Sequence, residues 1–129
     1  MDIRNVGILV NDLEGARKFF EDYFGAKILK TINNEETGYY SYVLELSGHG
    51  WIELINKPGI VDLGQDINRK GIIHVCIGTE TREELDAIVQ KLKDDGYYIQ
   101  YEPSSPEGTG EVRAVTFEDI VIEVHYEAE

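Results

Sequence analysis

Cysteine is nearly absent from this chain: 129 residues hold one thiol, Cys76. A single cysteine excludes an internal disulfide framework and agrees with a reducing, cytoplasmic setting. Proline is scarce at three residues, and positive charge is thin, with 12 Lys and Arg against 25 Asp and Glu for a formal net charge of −13. That field repels phosphate backbones and anionic lipid, so neither nucleic acid nor a membrane surface is an expected partner. The acids are scattered (Glu14, Glu21, Glu35, Glu80, Glu111) and form no tail, which reads as a solvated surface. No apolar run approaches the about 20 residues that span a bilayer, and Met1-Asp2-Ile3-Arg4 does not open like a signal peptide. The length that remains suits one soluble domain, 1–129, which buries roughly two-thirds of its unfolded surface without a staple.

Patterning then gives the elements. Residues 3–10 read as a largely buried strand. Asn11 and Asp12 offer helix caps ahead of Leu13, Ala16, Phe20, Tyr23 and Phe24 at helical spacing, and Gly25 stops the helix. Residues 38–47 and 51–56 are β-rich, with Gly48-His49-Gly50 as a tight turn between them. The same order returns further on: a strand at 72–78, a capping box from Thr81 to Glu84, and Leu85, Ile88, Val89 and Leu92 on one helical face. Gly96 ends that helix, and strands follow at 97–101, 112–117 and 120–126. Asn5-Val6-Gly7-Ile8 returns 69 residues later as His74-Val75-Cys76-Ile77, and Glu53 returns 70 residues later as Glu123. The reading is α+β: two βαβββ modules, 1–58 and 71–129, joined by a linker at 59–70.

Strand parity decides what the repeat gathers. Val6, Ile8 and Val10, like Val75 and Ile77, face the helix of their module, as do Ile52, Leu54, Ile122 and Val124. Asn5, Glu53, His74, Cys76, Glu123 and His125 point the other way. A carboxylate in the middle of an apolar strand is costly to bury without a partner. Finding one twice, at matching positions, is the most informative feature of the chain. One His, one Asn and two Glu on such faces offer nitrogen and oxygen ligands to a divalent metal. A solvated sheet face with no further role accounts for the two Glu equally well.

These residues resemble the vicinal oxygen chelate superfamily, which includes glyoxalases, methylmalonyl-CoA epimerases, extradiol dioxygenases, and fosfomycin and bleomycin resistance proteins. The carriers are Asn5-Val6-Gly7-Ile8-Leu9-Val10, Leu13-Glu14-Gly15-Ala16-Arg17-Lys18-Phe19-Phe20, Tyr23-Phe24-Gly25-Ala26, Trp51-Ile52-Glu53-Leu54, Ile73-His74-Val75 and Val121-Ile122-Glu123-Val124. The resemblance implies that the two modules curl into an incomplete mixed β-barrel cup, and that the protein is a homodimer. It implies metal ligands at Glu53, His74 and Glu123, with Asn5 standing where relatives of the glyoxalase type have His. The metal would be Ni, Zn, Co, Mn or Mg, or none, since an Asn carbonyl suits hard cations and is a poorer donor than imidazole to Zn or Ni. His125, two residues beyond Glu123, is a substitute ligand to consider.

The implied activity is that of a lyase or isomerase acting on a small substrate with adjacent oxygens through an enolate, with Glu123 or Glu53 as general base. Trp51, Tyr39 and Arg113 are candidate substrate contacts. The other cations that a glutathione conjugate would need are few: Arg4, Lys57, Arg69 and Lys70. Eight tyrosines, clustered at Tyr39, Tyr40, Tyr42 and at Tyr97, Tyr98, Tyr101, suit a second reading, a metal-free small-molecule binder of the bleomycin-resistance type. A third is an interaction module with a vestigial cup. Cys76 reads as a structural thiol, and His49 as a turn residue with no partner.

Overall fold

The computed structural model describes residues 1–47, 50–62, 70–103 and 111–126. The chain divides into two units, Met1–Asp62 and Leu63–Glu129. In unit 1 the elements are β1 (Asn5–Leu9), α1 (Leu13–Phe24), β2 (Lys27–Asn34), β3 (Tyr39–Glu45) and β4 (Trp51–Asn56). Unit 2 repeats them as β5 (Val75–Thr79), α2 (Arg82–Asp94), β6 (Gln100–Glu102), β7 (Val112–Phe117) and β8 (Ile120–Tyr126). Each unit builds a four-stranded mixed sheet, ordered β1-β4-β3-β2 and β5-β8-β7-β6. Two helices and two mixed sheets make the architecture α+β.

Local chemistry explains the elements. The Asp12 side chain caps α1 by accepting from the Gly15 N–H at 2.9 Å, and Gly25 ends it at φ 65, a left-handed position that glycine adopts without a Cβ clash. Thr81 caps α2 through the Glu84 N–H at 3.1 Å. The returning arm of that box goes one residue upstream, with Glu84 accepting from the Glu80 N–H. α2 runs one residue past its last regular turn to Asp95, and Gly96 at φ 93 turns the chain while the Tyr97 N–H closes on the Leu92 carbonyl. Each helix lays its apolar stripe on its own sheet. In unit 1 the seam holds Ala16, Phe20, Val10, Leu44, Ile52 and Leu54, all buried; in unit 2 it holds Leu85, Leu92, Val115, Ile122 and Val124. No helix among the described residues is long and apolar enough to cross a membrane.

The elements differ from the sequence expectation in several places, beginning with β1, expected at 3–10 and largely buried, which runs Asn5–Leu9 with Asn5, Gly7 and Leu9 exposed. Strand β2, which pattern alone did not single out, carries a bulge between Ile28 and Lys30 that breaks its period of two. β5 begins at Val75, so His74 is the residue before the strand and does not lie on it. The stretch 97–99 is irregular, and β6 starts only at Gln100. The turn residues Gly48 and His49, and Arg69 in the linker, lie outside the described residues.

Candidate functional site

In unit 1, β1 runs parallel to β4 with Gly7 opposite Glu53 and Asn5 opposite Trp51. On the other side β3 runs antiparallel, with Val43 opposite Glu53 and Glu45 opposite Trp51. Partners in a ladder share a face, so Asn5, Trp51, Glu53, Ser41 and Tyr39 all lie on the face away from Leu44, Ile52 and Leu54. Glu53 is half-buried there and has one side-chain partner: the Tyr39 hydroxyl donates to Glu53 Oε2 at 3.0 Å. Loss of water and then the bond to Glu53 push the Tyr39 phenol above its usual pKa. Burial makes the ionised phenol costly, and a carboxylate acceptor favours the protonated donor.

Unit 2 copies the register and changes the chemistry. β5 runs parallel to β8 with Cys76 opposite Glu123, the place Gly7 takes before Glu53. His74 Nδ1 faces Glu123 Oε1 at 3.5 Å, with side chains 36% and 26% exposed, so the pair is open to a ligand while partly drawn out of bulk water. Across β7, Ala114 is the partner of Glu123. Cys76 is exposed, and partial desolvation, then the Glu123 charge, raise its thiol pKa; it is not an activated thiolate. His125 shares the face of Glu123, opposite Gly78.

The donor chemistry fits part of a metal site. Two ligands held about 2.1 Å from one tetrahedral ion stand about 3.4 Å apart, and His74 Nδ1 and Glu123 Oε1 are 3.5 Å apart. Nitrogen and carboxylate oxygen are suitable donors for borderline divalent ions. Among the described residues neither unit gathers three His, Cys, Asp or Glu side chains able to hold an ion alone. In unit 2 the donors stand as a pair, and in unit 1 Asn5 begins the strand adjacent to Glu53.

The remaining candidates separate by register. Arg113 is opposite Val124 and Tyr101, on the α2 side of its sheet and away from Glu123. There it pairs with Glu111 at 2.8 Å and lies over the Tyr101 ring. Tyr42 likewise faces α1, where it donates to Glu14 of that helix. Trp51 keeps the face of Glu53, half-buried. The bulge in β2 brings Lys30 opposite Val43, two strands from Glu53 on the same face, and Lys27 opposite Glu45. Strict alternation along β2 hides these two cations, and a bulge leaves no signal in so polar a strand. Ser41 was also missed: a serine among tyrosines looks like surface, yet it is fully buried.

Comparison with known proteins agrees with this architecture. Residues 3–119 match the family model described as the glyoxalase/bleomycin resistance protein/dioxygenase superfamily. The fold is similar to a glyoxylase/bleomycin resistance protein/dioxygenase domain from Frankia sp. EAN1pec, with a TM-score of 0.81 at 21% identity, covering 100% of this chain and 93% of that one. It is similar to a trypanothione-dependent glyoxalase I of Leishmania major, with a TM-score of 0.76 at 23% identity, over 98% of this chain and 87% of that one. It is also similar to a variant of the fosfomycin resistance protein FosX of Listeria monocytogenes complexed with Mn(II) and 1S,2S-dihydroxypropylphosphonic acid. That likeness has a TM-score of 0.69 at 16% identity, over 96% of this chain and 90% of that one. With nearly its whole length matched by the family model, the chain belongs to the glyoxalase/bleomycin resistance protein/dioxygenase superfamily.

Proposed function

We propose that this protein is a divalent-metal-dependent lyase or isomerase acting on a small substrate with two adjacent oxygens. Its ligands are Glu53, His74 and Glu123, with Asn5 a weak oxygen donor. The observation that carries the reading is the His74–Glu123 pair, set at a ligand-to-ligand separation on the helix-free side of its sheet. When bound, the metal would supply charge to hold the two substrate oxygens and to stabilise the enolate left as a proton departs. The chain's own residues do the rest. Glu123 or Glu53 accepts the proton from the carbon beside the polarised carbonyl and returns it, which isomerises or epimerises the substrate. Glu123 Oε1 lies toward His74, and the Tyr39 hydroxyl holds Glu53 Oε2. Trp51 offers an apolar surface beside Glu53, and Lys30 a cation on the same face for an anionic group. Arg113, tied to Glu111 on the opposite side, is left out of this set. The family resemblance adds a homodimer, which sedimentation of the purified protein tests.

The test is a screen of metal-loaded protein against hemithioacetals of 2-oxoaldehydes and epimerisable 2-methyl-3-oxo thioesters, with Glu123→Gln and Glu53→Gln alongside. Turnover that both variants abolish supports the reading, and turnover unaffected by either overturns it. One observation favours a second reading, metal-free binding of a small planar ligand: Asn5 stands where the resemblance places His. Quenching of Trp51 by planar ligands in protein that binds no metal would select it.

A further inference from the structure

On the reading that Glu53 is a metal ligand, we infer that Tyr39 is the positioning residue for that carboxylate. Tyr39, Ser41 and Val43 alternate along one face of β3, and Val43 is the ladder partner of Glu53. The phenol reaches along this face past Ser41, and its hydroxyl donates to Glu53 Oε2 at 3.0 Å. Ser41 is 1% exposed, and its Oγ finds no well-formed hydrogen bond among the described residues. The bond between Tyr39 and Glu53 thus runs beside a buried position and is itself part-buried, where a hydrogen bond is stronger than in water.

The consequence is directional. A glutamate on a sheet face swings through several rotamers and can offer a metal one oxygen or two. With Oε2 held by Tyr39, Glu53 is fixed in one rotamer and presents Oε1 alone. Partners of this kind orient a ligand before the ion arrives, and their loss typically weakens metal affinity about 10–100-fold. Glu123 has no such tyrosine among the described residues, since its face of β7 carries Val112, Ala114 and Thr116, and its partner is the second donor His74. Tyr39 is therefore a device of unit 1.

The experiment is calorimetric titration with Mn(II) and with Co(II) of the wild-type chain and of Tyr39→Phe, Ser41→Ala, Glu53→Ala and the Tyr39→Phe/Glu53→Ala pair. Thermal unfolding of each confirms folding. Phenylalanine keeps the ring, so a role in packing alone leaves affinity unchanged. The expected result is a loss of about 10–100-fold for Tyr39→Phe, wild-type affinity for Ser41→Ala, which leaves the Tyr39 hydroxyl in place, and no further loss when Tyr39→Phe is added to Glu53→Ala. Wild-type affinity in Tyr39→Phe, or an equal loss in the Glu53→Ala background, overturns the role of Tyr39 while the metal reading stands. A wild-type chain that binds neither ion overturns the proposed function, and the role of Tyr39 falls with it. Should Tyr39→Phe not fold, Tyr39→Leu, which also lacks the hydroxyl, is read in the same way.

Discussion

Unit 1 and unit 2 share element order, strand order and ladder register, and differ in what stands around the carboxylate of their last strand. In unit 1 Glu53 faces Gly7, which adds no side chain, and is held from the side by Tyr39. In unit 2 Glu123 faces Cys76, and beside it is His74. The same backbone thus places one acid against a neutral hydrogen-bond donor and the other against a nitrogen ligand. The comparison teaches that the repeat fixes where a carboxylate goes and leaves its chemistry to the neighbouring positions. A second contrast points the same way. Each unit ties an acid to an arginine and a tyrosine on the helix side of its sheet: Glu14 with Arg17 and Tyr42, Glu111 with Arg113 and Tyr101. In unit 1 the acid and arginine come from α1, whereas in unit 2 the arginine comes from β7. The trio recurs, but from non-equivalent places.

The sharpest way to break the likeness between units is through their cores. Ile52 and Ile122 hold the same position beside their Glu and are buried in both units. Ile52→Ala and Ile122→Ala should each cost about 2–5 kcal/mol, read from urea unfolding. A cost well under that range at one of them would show that its helix does not seal the sheet as described. Next in size are the caps. Asp12→Ala and Thr81→Ala should each lose about 1 kcal/mol, and a null effect in calorimetric melting would show that cap to be idle.

Cys76 sharpens the difference between units without touching stability. Burial and the Glu123 charge raise its pKa, so at pH 8 it should alkylate with iodoacetamide more slowly than a free thiol. Glu123→Gln removes the negative neighbour, lowers the thiol pKa and should speed labelling; unchanged rates would show that the two groups do not sense each other. The smallest effect concerns the acid trios. Arg113, then Tyr101, hold Glu111 below the usual carboxylate range; for Glu14 it is Tyr42, then Arg17. A carboxylate whose folded pKa is depressed adds stability above the unfolded value, and that stability is lost as pH falls through the folded value. The melting temperatures of wild type and Glu111→Gln should therefore differ slightly at neutral pH and converge as the pH falls below the usual carboxylate range. A difference that persists in acid would assign the effect to packing.

Much of this was legible in the chain. Helix spacing, the two caps, the strands at 51–56, 112–117 and 120–126, and the doubled Glu all follow from period and parity, because those segments have one buried face. Legibility failed where no face is buried. β2 is almost wholly exposed and bulged, so neither its alternation nor the placement of Lys30 left a trace. Glu118-Asp119 takes both positive-φ positions of the β7–β8 turn without glycine, and pairing of Phe117 with Ile120 holds the register that composition could not fix. Arg113 looked like a pocket cation because its parity depends on that register. The Tyr39–Glu53 bond could not be read either, since it runs along the strands between positions that are not ladder partners.

The most direct measurement is calorimetric titration of metal-stripped protein with Ni, Co, Zn, Mn and Mg, with Glu123→Ala run in parallel. The account predicts micromolar or tighter binding of at least one of these ions, lost in Glu123→Ala. No binding by the wild-type chain, or equal binding by the variant, would contradict it.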